Sequence, residues 1–274
     1  MTRFEDDSHT GGASLELPLP PMKLRLHRDS DENFRAMGGQ LASLLYRLGL
    51  RDGDRLLDVG CGVGRLPIGL LATTTYAGRY VGFDVSNKHV RWARRNLTPI
   101  APRFTFRTVD VHNARYNPDG QVAGTSARFP VRSDGFDVAC LFSIFTHFEA
   151  SDIASYLHEL NRVLKPGGTV IATWFLWDQE RRQNVESGAY PMVHQRDEET
   201  LYADESDPLW AIAHHLDKVR SMVAEAGPLS VRSNTSNWAL GRMGLGPNCR
   251  IWSFYASRCH VFGLRGGSDA GSPF

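Results

Sequence analysis

Glycines and acidic side chains stand at the ends of two consecutive apolar runs in the first third of the chain. The first run contains Asp58 and leads into Gly60, Gly62 and Gly64, and an apolar helical pattern follows at once. A strand that ends in such a turn leaves backbone N–H groups with no Cβ to keep a ligand away. The N-terminus of the following helix adds a partial positive charge. The second run ends in Asp84, at the place where an acid binds ribose hydroxyls in nucleotide-binding sheets.

The spacing of the three glycines distinguishes between nucleotide-like ligands. The dinucleotide fingerprint is G-x-G-x-x-G, with the pyrophosphate on the helix N-terminus. Here the third glycine comes one residue earlier, and Asp58 at the strand end would repel a diphosphate. An acid beside glycines suits a ligand that carries a cationic amine as well as a carboxylate. The pattern therefore disfavours a nicotinamide-dependent oxidoreductase.

Three later motifs extend this pattern as far as Trp174. They are Arg107-Thr-Val-Asp110-Val111, Gly135-Phe-Asp-Val-Ala-Cys-Leu-Phe142-Ser143 and Arg162-Val-Leu-Lys-Pro-Gly-Gly-Thr. Together with the two runs above, the series resembles the class I S-adenosylmethionine (SAM) methyltransferases, whose first motif reads D-x-G-x-G-x-G. Tyr80-Val-Gly-Phe-Asp, Tyr116-Asn-Pro-Asp-Gly and Ser143-Ile-Phe-Thr-His147-Phe resemble a bacterial subgroup associated with sugar and polysaccharide modification.

The resemblance implies SAM as the cofactor, with S-adenosylhomocysteine as its product, and assigns residues to the parts of the cofactor. The glycine turn, which includes Cys61, would let the backbone approach the methionine part, with Asp58 near the amino group. The other implied contacts are the ribose hydroxyls for Asp84, the adenine for Val85, Asp110 and Val111, and the methionine end for Phe142 and Ser143.

His147 is the candidate general base. A sugar hydroxyl is a poor nucleophile that needs a base or a metal, whereas an amine or thiolate can react through positioning alone. His147 follows the fourth expected strand by a few residues, although packing or capping of the next helix is the alternative role. Glu149 and Asp152 are expected to cap that helix, with orientation of His147 or cation binding as alternatives. A divalent metal is compatible with this chemistry, but the sequence does not indicate one.

Residues 176–207 interrupt the alternation of strands and helices and are expected to form a lid-like insertion. Long segments over the carboxyl ends of parallel strands are usually binding loops. Trp177, Tyr190 and His194 are the candidate substrate-binding residues, with Trp177 expected at the surface and Trp174 in the core. His214 and His215 are expected on a helix, where adjacent side chains face different directions and form no metal site.

Composition narrows the class of protein. The 274 residues are 42% hydrophobic and 22% charged with a net charge of +1, which is typical of a soluble globular chain. Apolar runs are too short for a membrane span, and no basic block indicates a nucleic-acid partner. The four cysteines lack metal-ligand spacing and are expected to be reduced thiols of a cytoplasmic protein. All but four of the 31 basic residues are arginine, which is typical of a GC-rich bacterial genome.

The predicted fold is α/β: a Rossmann-like, seven-stranded, mostly parallel sheet with helices on both faces and an antiparallel last strand pair. A mobile tail is expected over residues 1–29, the catalytic domain over 30–264 and a disordered tail over 265–274. After a first helix capped by Ser30, the expected elements are strands at Arg55–Val59, Tyr80–Asp84, Phe104–Val109, Phe136–Phe142, Thr169–Phe175, Leu229–Asn234 and Arg250–Arg258, and helices at Arg65–Ala72, Lys88–Leu97, Ser151–Leu164 and from Leu209.

The function that these observations favour is O-methylation of a small polar acceptor, such as a saccharide or a precursor of a methylated polysaccharide. Methylation of an amine or of a natural-product aglycone is the second hypothesis. A SAM-binding module without catalysis is the third, because cofactor binding and acceptor chemistry use different residues. A homodimer is compatible with the sequence.

Overall fold

The computed structural model describes residues 17–25, 28–178, 192, 194–227, 229–234 and 260–266, with backbone alone for 229–234 and 260–266. Within them, ten strands form one sheet. The strands are β1 (Arg55–Val59), β2 (Arg79–Asp84), β3 (Phe104–Thr108), β4 (Phe136–Leu141), β5 (Leu164–Trp177), β6 (His194–Gln195), β7 (Thr200–Tyr202), β8 (Ile212–His215), β9 (Leu229–Asn234) and β10 (His260–Gly266). The helices are α1 (Asp31–Arg47), α2 (Arg65–Thr73), α3 (Asn87–Asn96), α4 (Ala150–Val163) and α5 (Leu216–Glu225).

The central sheet has the predicted parallel arrangement. Its order is β3-β2-β1-β4-β5, and every neighbouring pair in this row is parallel. Strand β10 then pairs antiparallel with β5 and with β9, which confirms the antiparallel last pair. Because the five parallel strands point the same way, the segments that follow them all emerge at one edge of the sheet.

The predicted number of seven strands is wrong for this sheet. Three further strands, β8, β7 and β6, continue from the carboxyl half of β5, where Phe175 to Trp177 pair with Ala213 to His215 of β8. Two of them, β6 and β7, lie within residues 176–207, which the sequence analysis treated as a segment without strands. Strands this short carry too few residues to show a period of two.

Helices cover both faces of the sheet, as expected. Helices α1, α2 and α3 pack with the strand residues on one face, among them Leu56 and Tyr80. Helices α4 and α5 pack with Leu57 and Val59 on the other face. Successive residues of β1 thus enter opposite cores, as the alternation of side chains in a strand requires.

Close contact between α1 and α2 fixes the position of the segment after β1. A Cβ on Gly38 would lie 2.6 Å from the carbonyl oxygen of Arg65, and one on Gly69 would lie 2.0 Å from the carbonyl oxygen of Gly38. Glycine at both positions lets the two helix backbones meet directly. Helix α1 begins as predicted, because the Ser30 hydroxyl accepts a hydrogen bond from the Asn33 N–H at 3.2 Å.

The expected mobile tail over residues 1–29 is wrong for its described part. Leu17 is buried in the core beside α1. The buried Arg25 guanidinium donates to the carbonyl oxygens of Pro20 and Asp29 and pairs with Asp31 at 2.5 Å. These bonds hold residues 17–25 against the domain.

The carboxyl third differs from the expected elements at two places. The helix expected from Leu209 begins at Leu216, because Ile212–His215 instead pairs with β5 and β7 as a strand. Arg265 and Gly266, assigned to a disordered tail, belong to β10. The expected strand at Arg250–Arg258 lies outside the described residues. Within the described ranges, no helix has both the length and the apolar character needed to cross a membrane.

Candidate active site

The glycine-rich turn lies at the carboxyl edge of the sheet, between β1 and α2. Its three glycines have positive φ angles of 76°, 54° and 90° at Gly60, Gly62 and Gly64, which side chains with a Cβ rarely adopt. The N–H groups of Gly60 and Cys61 donate to the carbonyl oxygen of Phe83 at 2.8 and 3.0 Å. The turn is thereby attached to the end of β2.

The surroundings of the three glycines differ. A Cβ on Gly60 would lie 2.2 Å from Cδ1 of Ile144, and one on Gly64 would lie 2.8 Å from Cδ1 of Leu97. A Cβ on Gly62 would meet nothing within 4 Å. A side chain at Gly60 or Gly64 would have to displace the end of Ile144 or Leu97, whereas Gly62 faces open space into which a ligand can approach the backbone.

Asp84 lies beside this open position. Its carboxylate accepts hydrogen bonds from the N–H groups of Gly62 at 2.9 Å and Ser86 at 2.7 Å. Burial raises the pKa of Asp84, and the two N–H donors and His89 oppose that rise. Asp84 therefore joins the glycine turn to the loop after β2, where a ribose is predicted to bind and where Val85 is half-buried.

Asp58 lies behind the turn, in the core. It is 3% exposed, and its two carboxyl oxygens accept hydrogen bonds from the Tyr80 hydroxyl at 2.5 Å and the Cys140 thiol at 3.6 Å. Burial raises the pKa of Asp58 to about 7, against the opposing effect of these two donors. A contact with the cofactor amine stays a prediction. Cys61 and Cys140 are buried free thiols whose pKa values burial raises.

The loop after β3 carries the residues predicted to contact adenine. Val111 is buried and forms an isolated bridge with Val122, whereas the Asp110 side chain is exposed. The Asn117 amide donates to the Val111 carbonyl oxygen at 3.0 Å. Asp110 and Val111 therefore lie at the same sheet edge as the glycine turn, in a loop held by its own hydrogen bonds.

The loop after β4 contains an unusual backbone conformation. Ser143 is exposed and has a φ angle of 57°, in the left-handed region that non-glycine residues seldom occupy. Its N–H donates to the Thr173 hydroxyl of β5 at 2.8 Å, which holds this conformation. Phe142 beside it is half-buried. Strain of this kind concentrates at functional sites.

His147 ends the short 3-10 helix Phe145–His147 in the same loop. Its Nδ1 lies 3.1 Å from the carbonyl oxygen of Leu209. A carbonyl can only accept, so Nδ1 carries the proton, and in the neutral ring Nε2 has the lone pair. This tautomer is the one that a general base acting through Nε2 requires.

Strands β6 to β8 are attached to the loop that carries His147. Glu149 pairs with Arg196 at 2.5 Å and accepts from the Tyr202 hydroxyl at 3.1 Å. Nε2 of the buried His214 donates to the Phe148 carbonyl oxygen at 3.0 Å. Glu149 occupies the N-cap position of α4 as expected, but its side chain makes no cap hydrogen bond there. Arg196 and Tyr202 were missed because no local pattern connects them with Glu149.

The structure corrects one expectation about the insertion and one about the segment that follows it. Trp177 is 3% exposed and packs with Met192 and Leu201, so it is not a surface residue available for stacking. Trp174 lies in the core as expected. His214 and His215 end a strand and do not lie on a helix.

His194 and Tyr190 are the other two candidate substrate-binding residues of the insertion. His194 lies in β6, with its side chain 43% exposed and Nδ1 3.9 Å from Glu205. Tyr190 lies outside the described residues. Among the side chains that are described, no group of three or more His, Cys, Asp or Glu could hold a metal ion.

Residues 56–168, which contain this turn and these loops, match the family described as methyltransferase domain. A demethylmenaquinone methyltransferase of Staphylococcus saprophyticus is 28% identical over 128 residues, which are 47% of this chain and 47% of the relative. The chain thus aligns with about half the length of this curated relative.

Two solved structures share the fold. A protein of Pyrococcus horikoshii OT3 has a TM-score of 0.55 at 17% identity, over 87% of this chain and 93% of that one. A SAM-dependent methyltransferase of Aquifex aeolicus has a TM-score of 0.51 at 16% identity, over 91% and 100% of the two chains. Residues 56–168 therefore match a methyltransferase domain, and the described chain shares its fold with these two solved structures.

Proposed function

We propose that this protein is a SAM-dependent methyltransferase that methylates a hydroxyl group of a small polar acceptor, with a saccharide as the favoured class. The observation that carries the proposal is the open face of Gly62 beside Asp84, on the edge of the sheet where the loop of His147 also emerges. The loops that contact the cofactor through their backbone, bind its ribose and remove the acceptor proton would then be neighbours.

The residues at this edge fit the cofactor. Gly62 offers a position where a Cβ would meet no protein atom, and Asp84 has a carboxylate that ribose hydroxyls can reach by displacing or sharing its N–H donors. When bound, SAM supplies an activated methyl group on a sulfonium. Ser143 and Phe142 would lie against the methionine end, and Asp110 and Val111 against the adenine.

His147 would accept the proton of the acceptor hydroxyl at Nε2. Its Nδ1–H bond to the Leu209 carbonyl holds the required tautomer and the orientation of the ring. Removal of the hydroxyl proton makes the oxygen a better nucleophile for in-line attack on the methyl group. General base catalysis of this kind contributes roughly 10²–10⁴-fold in rate.

The polar side chains next to His147 support a hydroxyl-rich acceptor. Glu149, Arg196 and Tyr202 form a partly exposed hydrogen-bonded group. Glu149 lies on the loop after β4, Arg196 directly follows β6, and Tyr202 ends β7. Trp177, a candidate for stacking on the acceptor, is buried, so the proposal rests on this polar group and on His147. The alternative of an aromatic or quinone-like acceptor rests on the name of the staphylococcal relative.

The test is a titration of the purified full chain followed by a labelled-methyl screen. Calorimetry should detect binding of SAM and S-adenosylhomocysteine and no binding of NAD. Asp84→Ala should weaken SAM binding by roughly 10–100-fold, the loss expected for hydrogen bonds to a charged group. Transfer to sugars in preference to phenols and amines would support the acceptor class. NAD binding, or wild-type SAM affinity in Asp84→Ala, would contradict the proposal.

A further inference from the structure

One part of the sheet is not covered by a helix. Residues 109–135, which connect β3 to β4, contain only the short 3-10 helix Gly124–Ser126. Val81 and Thr105 are register partners on β2 and β3 and lie on the face opposite α3. A cavity of about 570 Å³ lies between this face and residues 129–132. Its volume is in the range of small-molecule sites, roughly 300–1,000 Å³.

The lining of this cavity is strongly basic. It contains no acidic residue, whereas the whole chain has a net charge of only +1. Five arginines line it: Arg55, Arg79, Arg103, Arg107 and Arg132. We call this the arginine cavity.

The positive charges of the arginine cavity are only partly balanced within the described part of the protein, by the electrostatic interaction of Arg55 with Asp137. None of the five arginines forms an ion pair with a described residue. Arg55 and Arg79 are register partners on neighbouring strands, an arrangement in which like charges destabilise a sheet. An anionic occupant would remove this repulsion.

Two of the guanidinium groups are already held in place. Arg103 donates to the Tyr76 carbonyl oxygen at 2.9 Å, and Arg107 donates to the Pro130 carbonyl oxygen. A carbonyl bond orients a guanidinium without cancelling its charge, so further N–H groups can serve a ligand. Such preorganisation lowers the entropy cost of binding an anion.

Three of the five arginines lie far from the candidate active site. Arg55 and Arg79 are the first residues of β1 and β2, and Arg103 directly precedes β3. The glycine turn and His147 follow the other ends of the strands. A strand of five or six residues spans roughly 17–20 Å, so these three arginines lie at the opposite edge of the sheet from the glycine turn. Arg107 lies near the carboxyl end of β3, where it pairs with Phe83, and extends the cavity toward the other edge.

We propose that the arginine cavity binds a small oligophosphate anion, either free or as the phosphate chain of a nucleotide. Guanidinium groups bind phosphate oxygens through paired, charge-assisted hydrogen bonds. The lining brings five of them around one concave volume of limited size. A nucleic-acid strand instead needs an extended basic groove with aromatic side chains for its bases.

The test uses the full-length protein and inorganic triphosphate, titrated by calorimetry at constant ionic strength. The test variant is Arg79→Gln/Arg132→Gln, because neither side chain bonds to a described residue. The matched control is Arg91→Gln/Arg95→Gln, which removes the same charge from the exposed surface of α3. A single cooperative melting transition in both variants would show that they are folded.

Saturable binding to the wild type, with Kd raised roughly 10–100-fold in the cavity variant, is expected from the loss of two charge-assisted bonds. The control variant should bind like the wild type. A parallel titration with a nucleoside triphosphate separates the two sources, since tighter binding shows that the nucleoside adds contacts and equal binding shows that the phosphate chain suffices. Absence of saturable binding, equal loss in both variants, or binding of an RNA oligomer that triphosphate does not displace would overturn the proposal.

Discussion

The buried carboxyl of Asp58 leads to an unusual expectation: the contribution of Asp58 to the free energy of unfolding should fall as the pH rises from about 4 to 7. The native pKa of Asp58 is raised from 3.8 to about 7, chiefly by burial. In this range the native state therefore binds a proton that the unfolded state has released. Stability is highest below the unfolded pKa and falls until the native carboxyl also ionises.

The size of the effect follows from the shift in pKa. A rise of about 3 pKa units corresponds to about 4 kcal/mol, since each unit is worth about 1.4 kcal/mol. About 3 kcal/mol of this loss in unfolding free energy occurs between pH 5 and pH 8. Asp58→Asn removes the ionisation while keeping an oxygen that can accept from the Tyr80 hydroxyl and an amide that can donate toward Cys140.

The assay is urea unfolding of the wild type and Asp58→Asn at pH 5 and pH 8. The difference in unfolding free energy between the two proteins should shift by about 3 kcal/mol in favour of the variant on going to pH 8. Contributions from titrating groups distant from Asp58, such as the buried His214, are common to both proteins and cancel in this difference. Asp84 interacts electrostatically with Asp58, so its contribution remains part of the measured difference.

Asp137→Asn is the control, because the pKa of Asp137 is shifted in the direction opposite to that of Asp58. Burial disfavours the charge of Asp137, but Lys165 at 2.5 Å and the Arg55 N–H outweigh it and lower the pKa. Asp137 is thus ionised in both states at pH 5 and above, and its variant should show the same loss at both pH values. Parallel pH profiles for the wild type and Asp58→Asn would refute the reasoning, because they would mean that native Asp58 is already ionised at pH 5.

Three further predictions concern the candidate site. Gly62→Ala should lower the unfolding free energy by only about 1 kcal/mol. Gly167→Ala is the matched control, because Gly167 has a comparable φ angle and equally open surroundings. Calorimetry should show lost SAM affinity in Gly62→Ala and not in Gly167→Ala. His147→Asn keeps a donor for the Leu209 carbonyl but lacks Nε2. Single-turnover rates should therefore fall roughly 10²–10⁴-fold with SAM affinity unchanged. Near-wild-type rates would show that His147 has a structural role and is not the base. Trp177→Ala should lower the unfolding free energy by roughly 3–5 kcal/mol, because it empties a buried site; turnover lost without a change in melting temperature would instead indicate contact with the acceptor.

The site at the carboxyl edge was largely predictable from the sequence, because its signals are local. The spacing of Gly60, Gly62 and Gly64 requires a turn with positive φ angles, and the structure has one. Short apolar runs that end in an acid or a glycine predicted β1 to β4 with bounds within one residue of those observed. Parallel strands then place the residues that follow them at one edge, whatever the rest of the chain does.

The sequence did not predict the hydrogen-bond partners of the side chains behind this edge. Asp58 stands beside the glycines in the chain, yet its carboxyl points into the core because residues alternate along β1 and Leu57 and Val59 face the other side. Its partners, Tyr80 and Cys140, come from two neighbouring strands, which only the assembled sheet brings together.

Only the tertiary structure shows how the insertion pairs with the sheet and which residues line the open sheet face. Strands β6 to β8 form because β5 extends beyond the central sheet and offers its backbone to β8, a pairing that no local pattern records. That pairing buries Trp177 and brings Leu209 to His147. The arginine cavity likewise arises from residues far apart in the chain, placed together by the register of β1, β2 and β3. Local sequence determines which residues can turn or ionise, whereas long-range strand pairing determines which of them meet.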